Sequence, residues 1–314
     1  MKPYLIFFFA LFCNTANAQF KTEEKILETK TGKLAGTLYL PQKVKNNFTV
    51  LIIQAGSGAT DRNGNSLPYI KGNSYKLIAE AMAAKNIATL LVDKRGVAGS
   101  MAALKAEKDL LFDDYVTDLT DWIKLVKTDK RIKKIFLAGH SEGSLVAMLA
   151  AQKETVNGFI SLAGAGESID KIITWQYKQQ VPTLALVVDS LFNRLKNNLP
   201  IDTVPKMLMS IFRPSVQPYI ASWVKYDPAI EIAKLKIPTL IIQGTTDIQV
   251  TVEQSEYLKK AKPTAVYALI PEMNHVLKNA PADRQKNMET YSAENLPLNE
   301  MFEKNLYNFL NSKK

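Results

Sequence analysis

The chain has 314 residues, with 40 Lys and Arg against 30 Asp and Glu, which gives a net charge of +10. Hydrophobic residues make up 46% and charged residues 22%, a globular balance that excludes a disordered or collagen-like chain. One Cys and two His exclude a disulfide scaffold and leave too few ligands for a zinc site of the Cys/His type.

Residues 1–18 have the features of a secretory signal peptide. The stretch from Tyr4 to Phe12 is almost entirely apolar, and Ala16-Asn17-Ala18 is a small-residue cleavage site. We therefore predict cleavage before Gln19 and a secreted or periplasmic protein. Cys13 raises the alternative of a lipoprotein, although the bulky residues before it differ from the Leu-Ala-Gly-Cys pattern of lipoprotein signals.

The positive charge does not predict a nucleic-acid partner. Only six of the 40 basic residues are Arg, and the Lys residues are scattered along the chain. The densest cluster, at residues 130–134, has no interleaved aromatic residues and is interpreted as a solvated loop. No segment after the signal peptide predicts a membrane-spanning helix. The expected partner is a small-molecule substrate.

The mature chain alternates apolar runs with amphipathic helices. After an amphipathic stretch at 25–29, strands are predicted at 33–40, 48–53, 87–92, 134–138, 156–162, 239–242 and 266–270. Helices are predicted at 74–84, 110–126, 142–152, 252–260 and 298–310. Because most of these strands are continuous apolar runs, we predict an α/β fold with a mostly parallel sheet and helices on both faces.

One region interrupts the alternation. From residue 166 to 236, large apolar residues recur at loosely helical spacing, and prolines punctuate them. We therefore predict a helical insertion at 166–236 within a core formed by residues 19–165 and 237–314.

The strongest chemical motif is Gly139-His140-Ser141-Glu142-Gly143, which matches the pattern Gly-x-Ser-x-Gly. It follows the predicted strand 134–138 and precedes the predicted helix 142–152. A nucleophilic serine needs this strained turn between strand and helix, and the glycines let the two elements approach each other. Ser141 is therefore the predicted nucleophile.

A serine hydroxyl needs a base, and the predicted mature chain has only two histidines. His140 lies inside the turn, where its ring is not expected to face Ser141, so His275, after the strand 266–270, is the predicted base. Asp247, after the strand 239–242, is the predicted carboxylate that orients this base.

Three other carboxylates compete with Asp247 for that role, namely Asp170, Asp227 and Glu272. The order Ser141, Asp247, His275 is the α/β-hydrolase order of triad residues, which favours Asp247.

An oxyanion hole requires two backbone N–H donors. One is expected from Glu142, the residue after the nucleophile. The other is expected from the glycine-rich loop at residues 55–59, with Ser57 as the best single choice. This loop matches neither phosphate-binding pattern, Gly-x-x-x-x-Gly-Lys-Ser/Thr or Gly-x-Gly-x-x-Gly, so a nucleotide site is not predicted.

With these motifs the chain resembles the serine-esterase branch of the α/β-hydrolase superfamily. Residues 243–250 resemble its acid loop, and residues 93–100 resemble its Asp-x-Arg-Gly-x-Gly-x-Ser loop. Residues 56–65 are similar to the Gly-Ser-Gly-Pro-Thr-Asp-Arg-Asp-Gly-Asn loop of a secreted bacterial esterase group, with Ala59 at the usual proline. Ala55-Gly56 stands where the common His-Gly oxyanion motif is expected. The resemblance implies an eight-stranded, mostly parallel sheet with a cap inserted after the sixth strand.

The predicted function is a secreted serine hydrolase that cleaves small or medium carboxylic esters without metal or cofactor. Serine peptidase, acyl thioesterase and a catalytically inactive binding protein are the alternatives. The helical insertion is expected to cover Ser141 and form the acyl pocket, with Trp175, Met209 and Phe212 as its substrate-binding residues.

Overall fold

The strands of the protein are built from the apolar runs of the sequence. A computed structural model describes residues 20–43 and 46–312, and the predicted signal peptide lies outside these residues. The strands are Phe20–Thr29 (β1), Gly32–Pro41 (β2), Phe48–Gln54 (β3), Ala88–Val92 (β4), Ile132–His140 (β5), Gly158–Leu162 (β6), Thr239–Gly244 (β7) and Val266–Ile270 (β8).

All eight strands belong to one sheet, in the order β1-β2-β4-β3-β5-β6-β7-β8. β2 pairs antiparallel with both β1 and β4, whereas every pairing from β4 to β8 is parallel. β2 is therefore the one strand of this sheet that runs against the other seven. The mostly parallel sheet predicted from the sequence is confirmed.

Helices cover both faces of the sheet, because neighbouring residues of its central strands point to opposite sides. The helices are Ser74–Ala84 (α1), Phe112–Lys127 (α2), Glu142–Lys153 (α3), Ile169–Gln180 (α4), Pro182–Lys196 (α5), Met209–Phe212 (α6), Gln217–Val224 (α7), Pro228–Lys234 (α8), Val252–Ala261 (α9), Arg284–Glu289 (α10) and Glu300–Leu310 (α11). In β3, Ile52 belongs to one apolar cluster, which includes residues of α2, α3 and α9, while Leu51 and Ile53 belong to a second, which includes residues of α1 and α11. None of the helices described is long and apolar enough to cross a membrane.

Two helices begin two residues later than their apolar pattern predicts, and polar side chains explain both differences. At the start of α2, the Asp114 carboxylate accepts a 2.8 Å hydrogen bond from the Leu111 N–H. At the start of α11, the Asn299 side chain accepts a 3.1 Å hydrogen bond from the Phe302 N–H. Such caps satisfy amide groups that have no partner inside the helix, and they fix where the helix begins.

The order of the strands creates a crevice between β3 and β5. From β3 the chain passes through α1 to β4 on one side, and it then returns to β5 on the other side of β3. In open α/β sheets, ligands bind at such a reversal, beside the carboxyl ends of the strands. The loop after β3 and the turn after β5 lie at this position.

The segment between β6 and β7 is helical, and we call residues 169–234, which hold α4 to α8, the helical lobe. It has an apolar cluster of its own, with buried members from Val188 to Val224. The predicted insertion, residues 166–236, includes α8, but this last helix of the lobe also packs on the core. Ile232 of α8 joins the core cluster that contains Leu258 of α9, so α8 packs on the core. The apolar spacing alone could not distinguish these two clusters.

Candidate active site

Ser141 occupies a strained turn between β5 and α3. Its backbone has φ 55° and ψ −124°, a conformation that side-chain-bearing residues rarely adopt. Both glycines of the motif are required because other parts of the backbone lie too close to leave room for a side chain. A Cβ at Gly139 would collide with the Gly143 carbonyl, and a Cβ at Gly143 would collide with the carbonyls of Gln54 and Ala55. The turn thus presses against the end of β3 and presents a half-buried Ser141 at the crevice.

His275 and Asp247 meet at the carboxyl ends of β8 and β7. The His275 Nδ1 lies 2.8 Å from the Asp247 Oδ2, and both side chains are buried. The other oxygen of Asp247 accepts hydrogen bonds from the N–H groups of Gln249 and Val250, at 2.8 and 2.9 Å. Asp247 therefore holds one nitrogen of the His275 ring, and its own position is fixed by the acid loop.

None of the three competing carboxylates contacts His275: two have other partners, and the third is exposed. Asp170 is paired with Lys196 in the helical lobe. The Asp227 side chain caps α8 by accepting a 3.0 Å hydrogen bond from the Ala229 N–H. Glu272 is exposed, with a backbone φ of 55°. Of the four candidates, Asp247 is the carboxylate that contacts His275.

Gly244 allows the two loops to approach. A Cβ at this position would collide with the Met273 carbonyl, two residues before His275. The Thr246 N–H donates to the same carbonyl at 3.1 Å, which joins the acid loop to the histidine loop. The glycine of the acid-loop motif thus serves the contact between Asp247 and His275.

The surroundings of Asp247 keep it ionised. Burial by itself would raise the pKa of this carboxyl group. The interaction with His275, its hydrogen bond, and the amides of Val250 and Gln249 outweigh that effect and hold the pKa below its ordinary value. An ionised Asp247 can fix the His275 tautomer and stabilise a protonated ring.

His140 has a different environment, and its ring is held between Tyr75 and the histidine loop. The His140 Nε2 lies 2.8 Å from the His275 carbonyl oxygen, and its Nδ1 lies 2.8 Å from the Tyr75 hydroxyl. A carbonyl only accepts, so Nε2 carries the proton, and the Tyr75 hydroxyl donates to Nδ1. Burial and the neighbouring His275 lower the pKa of His140 to about 3, which keeps its ring neutral. His140 thus joins the nucleophile turn to the histidine loop.

The loop after β3 lies against the nucleophile. A Cβ on Gly56 would lie 3.0 Å from the Ser141 Cβ, so only glycine fits without displacement. Ser57 is the next residue, and it lines two cavities together with Ser141. Within the described residues, neither the Ser57 N–H nor the Glu142 N–H donates a hydrogen bond to the protein. Both amides are thus available to a ligand oxygen.

The carboxyl group of Glu142 was not singled out by sequence reasoning, which used only its backbone. It is buried and accepts a 2.9 Å hydrogen bond from the Tyr219 hydroxyl of α7. Burial raises the pKa of Glu142, and the Lys94 charge and the Tyr219 hydrogen bond partly offset this rise. The pair joins the helix that follows the nucleophile to the helical lobe.

Ser141 lies between two cavities. The larger, of about 210 Å³, extends beneath the helical lobe, and Ile169, Ile172 and Trp223 are among its apolar lining residues. The smaller, of about 60 Å³, is bordered by Ser141, His275 and Tyr75. The nucleophile candidate therefore has an apolar space on one side and the base candidate on the other.

The structure corrects the choice of cavity residues in the helical lobe. Phe212 is fully buried in the cluster of the lobe, with its ring centroid 4.9 Å from that of Phe192. Trp175 and Met209 are 46% and 40% exposed, and neither they nor Phe212 line the cavity. The face of α4 that borders the cavity carries Ile169, Ile172, Ile173 and Gln176, at helical spacing. The apolar pattern predicted helices here, but it could not show which face turns toward Ser141.

Across residues 20–43 and 46–312, no three or more His, Cys, Asp or Glu side chains come together as a set that could hold a metal ion.

Known proteins resemble this chain in sequence and in fold. The family model described as serine aminopeptidase, S33, matches residues 71–217, which include the nucleophile turn. Esterase EstD from Thermotoga maritima is 25% identical over 250 residues, which cover 78% of this chain. The chain spans 58% of the length of that relative.

Two solved esterases are similar in fold to this chain over most of its length. Est1E from Butyrivibrio proteoclasticus has a TM-score of 0.58 and 16% identity, covering 92% of this chain and 99% of its own. The Pf2001 esterase from Pyrococcus furiosus has a TM-score of 0.57 and 16% identity, covering 98% and 95%. At such identities the likeness concerns the fold. Together with the strand order and the turn at Ser141, these matches show that the chain has the α/β-hydrolase fold.

Proposed function

We propose that the protein is a serine hydrolase that cleaves carboxylic esters with Ser141, His275 and Asp247. The observation that carries the proposal is the 2.8 Å contact between His275 and Asp247 at a cavity shared with Ser141. This is the relation that an activated serine needs, because the base must be oriented before it can accept the proton. The esterase names of the relatives support esters as the substrate class.

The reaction runs in two halves. The Ser141 Oγ attacks the ester carbonyl carbon, and the His275 Nε2 takes the serine proton. The N–H groups of Ser57 and Glu142 donate to the resulting oxyanion. As the tetrahedral intermediate collapses, the bond between the carbonyl carbon and the alkoxide oxygen breaks, and His275 gives its proton to that oxygen. The alcohol departs, and the acyl group remains on Ser141 as an ester. Water, deprotonated by His275, attacks this ester, and the carboxylic acid leaves as Ser141 regains its proton.

The larger cavity is the proposed acyl pocket. Its apolar wall, formed in part by Ile172 and Trp223, suits a hydrocarbon chain, and its volume of about 210 Å³ favours a short or medium one. The smaller cavity, beside His275, is where the alcohol departs and water enters in this proposal.

Peptide hydrolysis is the second candidate, because the matching family model is described as serine aminopeptidase. The same triad would attack an amide, and His275 would protonate the departing amine. A thioester is open to the same attack. Substrate comparison separates these reactions: p-nitrophenyl esters of graded acyl length, aminoacyl anilides and acyl thioesters would be tested on one preparation.

Covalent labelling tests whether Ser141 is the nucleophile. A fluorophosphonate should label the wild type and fail to label Ser141→Ala. The matched control is Ser144→Ala, one turn along the same helix, whose hydroxyl lies 2.8 Å from that of Ser161 inside the core. This variant should label like the wild type. A folded wild type that neither labels nor hydrolyses any substrate of the panel would contradict the proposal and favour a binding protein.

We also propose that the enzyme acts outside the cytoplasm, because residues 1–18 have the pattern of a signal peptide. N-terminal sequencing of the protein exported from a bacterial host should begin at Gln19. Retention of the full N-terminus in the cytoplasmic fraction would contradict this proposal, and a lipid-modified Cys13 would favour the lipoprotein alternative.

A further inference from the structure

A buried lysine, Lys94, contacts the loop that holds Ser57. It follows β4 in the loop at residues 93–100, and only 4% of its surface is exposed. Its ammonium group donates a hydrogen bond to the Gly56 carbonyl oxygen. The ammonium also lies 5.1 Å from the centre of the Tyr115 ring, where a cation–π interaction stabilises the charge.

The charged residues beside Lys94 stabilise the loop itself. Asp93 accepts hydrogen bonds from the Arg62 N–H at 2.7 Å and the Gly99 N–H at 3.0 Å. Arg95 is paired with Asp118 of α2. Of these three consecutive charged residues, Lys94 is the one that donates to the glycine-rich segment at residues 55–59, and the pairing of β3 with β4 brings the two loops together.

The contact with Gly56 fixes one particular peptide group. The Gly56 carbonyl and the Ser57 N–H belong to the same amide, and in a planar trans peptide they point in opposite directions. A donor that holds the carbonyl on one side therefore turns the N–H to the other side. Ser57 borders both cavities at Ser141.

We propose that Lys94 is a positioning residue for the oxyanion hole: its ammonium group holds the Gly56–Ser57 peptide so that the Ser57 N–H points at the reacting carbonyl oxygen. The inference rests on the proposed ester hydrolysis. The positive charge has a second effect, since it polarises this peptide and makes its N–H a stronger donor to an oxyanion.

The Glu142 carboxyl group counteracts part of the effect that burial has on the charge of Lys94. Burial lowers the pKa of Lys94, and the nearby Glu142 carboxyl group opposes this decrease. Glu142 directly follows the nucleophile, and a negative charge on it would repel an oxyanion. The Lys94 ammonium offsets that repulsion as well.

The oxyanion hole should be sensitive to small movements of the loop that holds Gly56 and Ser57, because this loop lies against the nucleophile. Gly56 lies so close to Ser141 that even a methyl group would be tight against it. A displacement of about 1 Å in an active site can cost about 10²-fold in rate. A lysine that prevents such a displacement therefore affects catalysis without touching the substrate.

The test is Lys94→Met, which keeps the apolar stem and removes the donor and the charge. We expect kcat on the preferred p-nitrophenyl ester to fall by about 10²–10³, the loss seen for an oxyanion donor, while KM changes by less than about threefold. The affinity for benzeneboronic acid, whose serine adduct is tetrahedral and anionic, should fall in parallel with kcat.

The matched control is Lys262→Met. This lysine is also buried, and its ammonium donates a 2.6 Å hydrogen bond to the Leu235 carbonyl, but it lies away from both cavities at Ser141. Its loss should lower the melting temperature and leave kcat and boronic acid affinity unchanged. Lys94→Arg, which keeps the charge and the donors, should retain at least about a tenth of the wild-type kcat, well above the value for Lys94→Met.

Equal kcat values for folded Lys94→Met and the wild type would overturn the inference while leaving the ester hydrolase proposal intact. A drop in kcat with unchanged boronic acid affinity would also overturn it. If Lys94→Met does not fold, Lys94→Leu, which also lacks a donor and a charge, takes its place with the same two measurements. A wild type without hydrolytic activity would contradict the proposed function instead.

Discussion

Two regions surround Ser141, and they differ in chemistry: the loops at the carboxyl ends of the strands supply polar groups, and the helical lobe supplies apolar side chains. In the loops, hydrogen bonds hold polar groups in single positions, as the bonds to both oxygens of Asp247 and both ring nitrogens of His140 do. In the lobe, apolar residues form a cluster and one face of α4 borders the cavity. Changes in the loops should therefore alter the rate of the reaction, whereas changes in the lobe should alter which acyl chain fits.

Loss of the nucleophile or the base tests the contribution of the loops most severely. Ser141→Ala and His275→Ala should each lower kcat by at least ~10³ and by up to ~10⁶, because the members of a triad act as a unit. The measurement is kcat on the preferred ester, with folding checked by circular dichroism. Near-normal turnover by folded His275→Ala would show that another group is the base.

The orienting carboxylate should have the next largest effect. Asp247→Asn should keep the fold and lower kcat by up to ~10⁴, since the amide would hold the wrong tautomer of His275. Asp170→Asn is the matched comparison, because this carboxylate is paired with Lys196 and not with the base. If Asp170→Asn proved inactive while Asp247→Asn remained active, the acid would be misassigned.

His140 provides a test of the loops through stability. In the unfolded chain His140 has an ordinary pKa of about 6.5, so it binds a proton below that pH. In the folded protein its pKa is about 3, so it stays neutral over the range between the two values. The free energy of unfolding should therefore fall by about 1.4 kcal/mol per pH unit between pH 6 and pH 4 on account of His140. The pKa of Asp247 is below its ordinary value, so its own contribution is lost mostly below this range.

His140→Gln removes this titration and keeps a donor and an acceptor. Urea unfolding at pH 7, 6, 5 and 4 should show a shallower loss of stability for the variant than for the wild type. Parallel curves for the two proteins would mean that His140 becomes protonated in the folded state and that its environment is not as described.

Changes in the helical lobe should produce the smallest effect, and they should alter the preferred acyl length and not the maximal rate. Ile172→Ala enlarges the cavity by removing three carbon atoms of its wall. Each methylene buried is worth about 0.8 kcal/mol, so kcat/KM should rise about fourfold per acyl carbon until the pocket is full. The variant should move the optimum to a longer chain without a large loss of its maximal rate.

Leu186→Ala is the control for this experiment, because Leu186 lies in the same lobe but is 83% exposed. Its profile of kcat/KM against acyl length should match that of the wild type. An unchanged profile for Ile172→Ala would show that the lobe does not set acyl selectivity.

Local rules made much of the site predictable. Gly139 and Gly143 mark a turn whose crowding only glycine relieves, and that crowding is a property of any tight passage from strand to helix. His275 followed from the count of histidines. Asp247 followed from its place after a buried strand, because the ends of parallel strands meet at one edge of the sheet.

Contacts between distant parts of the chain were outside the reach of sequence reasoning. Lys94 belongs to a recognisable loop motif, yet its hydrogen bond to Gly56 depends on the pairing of β3 with β4. The partners of His140 come from α1 and from the histidine loop. A residue's own neighbours in sequence carry no information about such partners.

The sequence by itself determined the alternation of strands and helices, the sheet type and the identity of the motif residues, because periodicity and backbone sterics act over a few residues. The tertiary structure alone decided the direction in which each side chain points. Phe212, Trp175 and Ile172 are all large apolar residues of one helical lobe, but only Ile172 borders the cavity at Ser141. Burying the apolar surface of any of these side chains stabilises the fold by a similar amount. The residue type therefore does not distinguish a position in the core from one in a cavity wall.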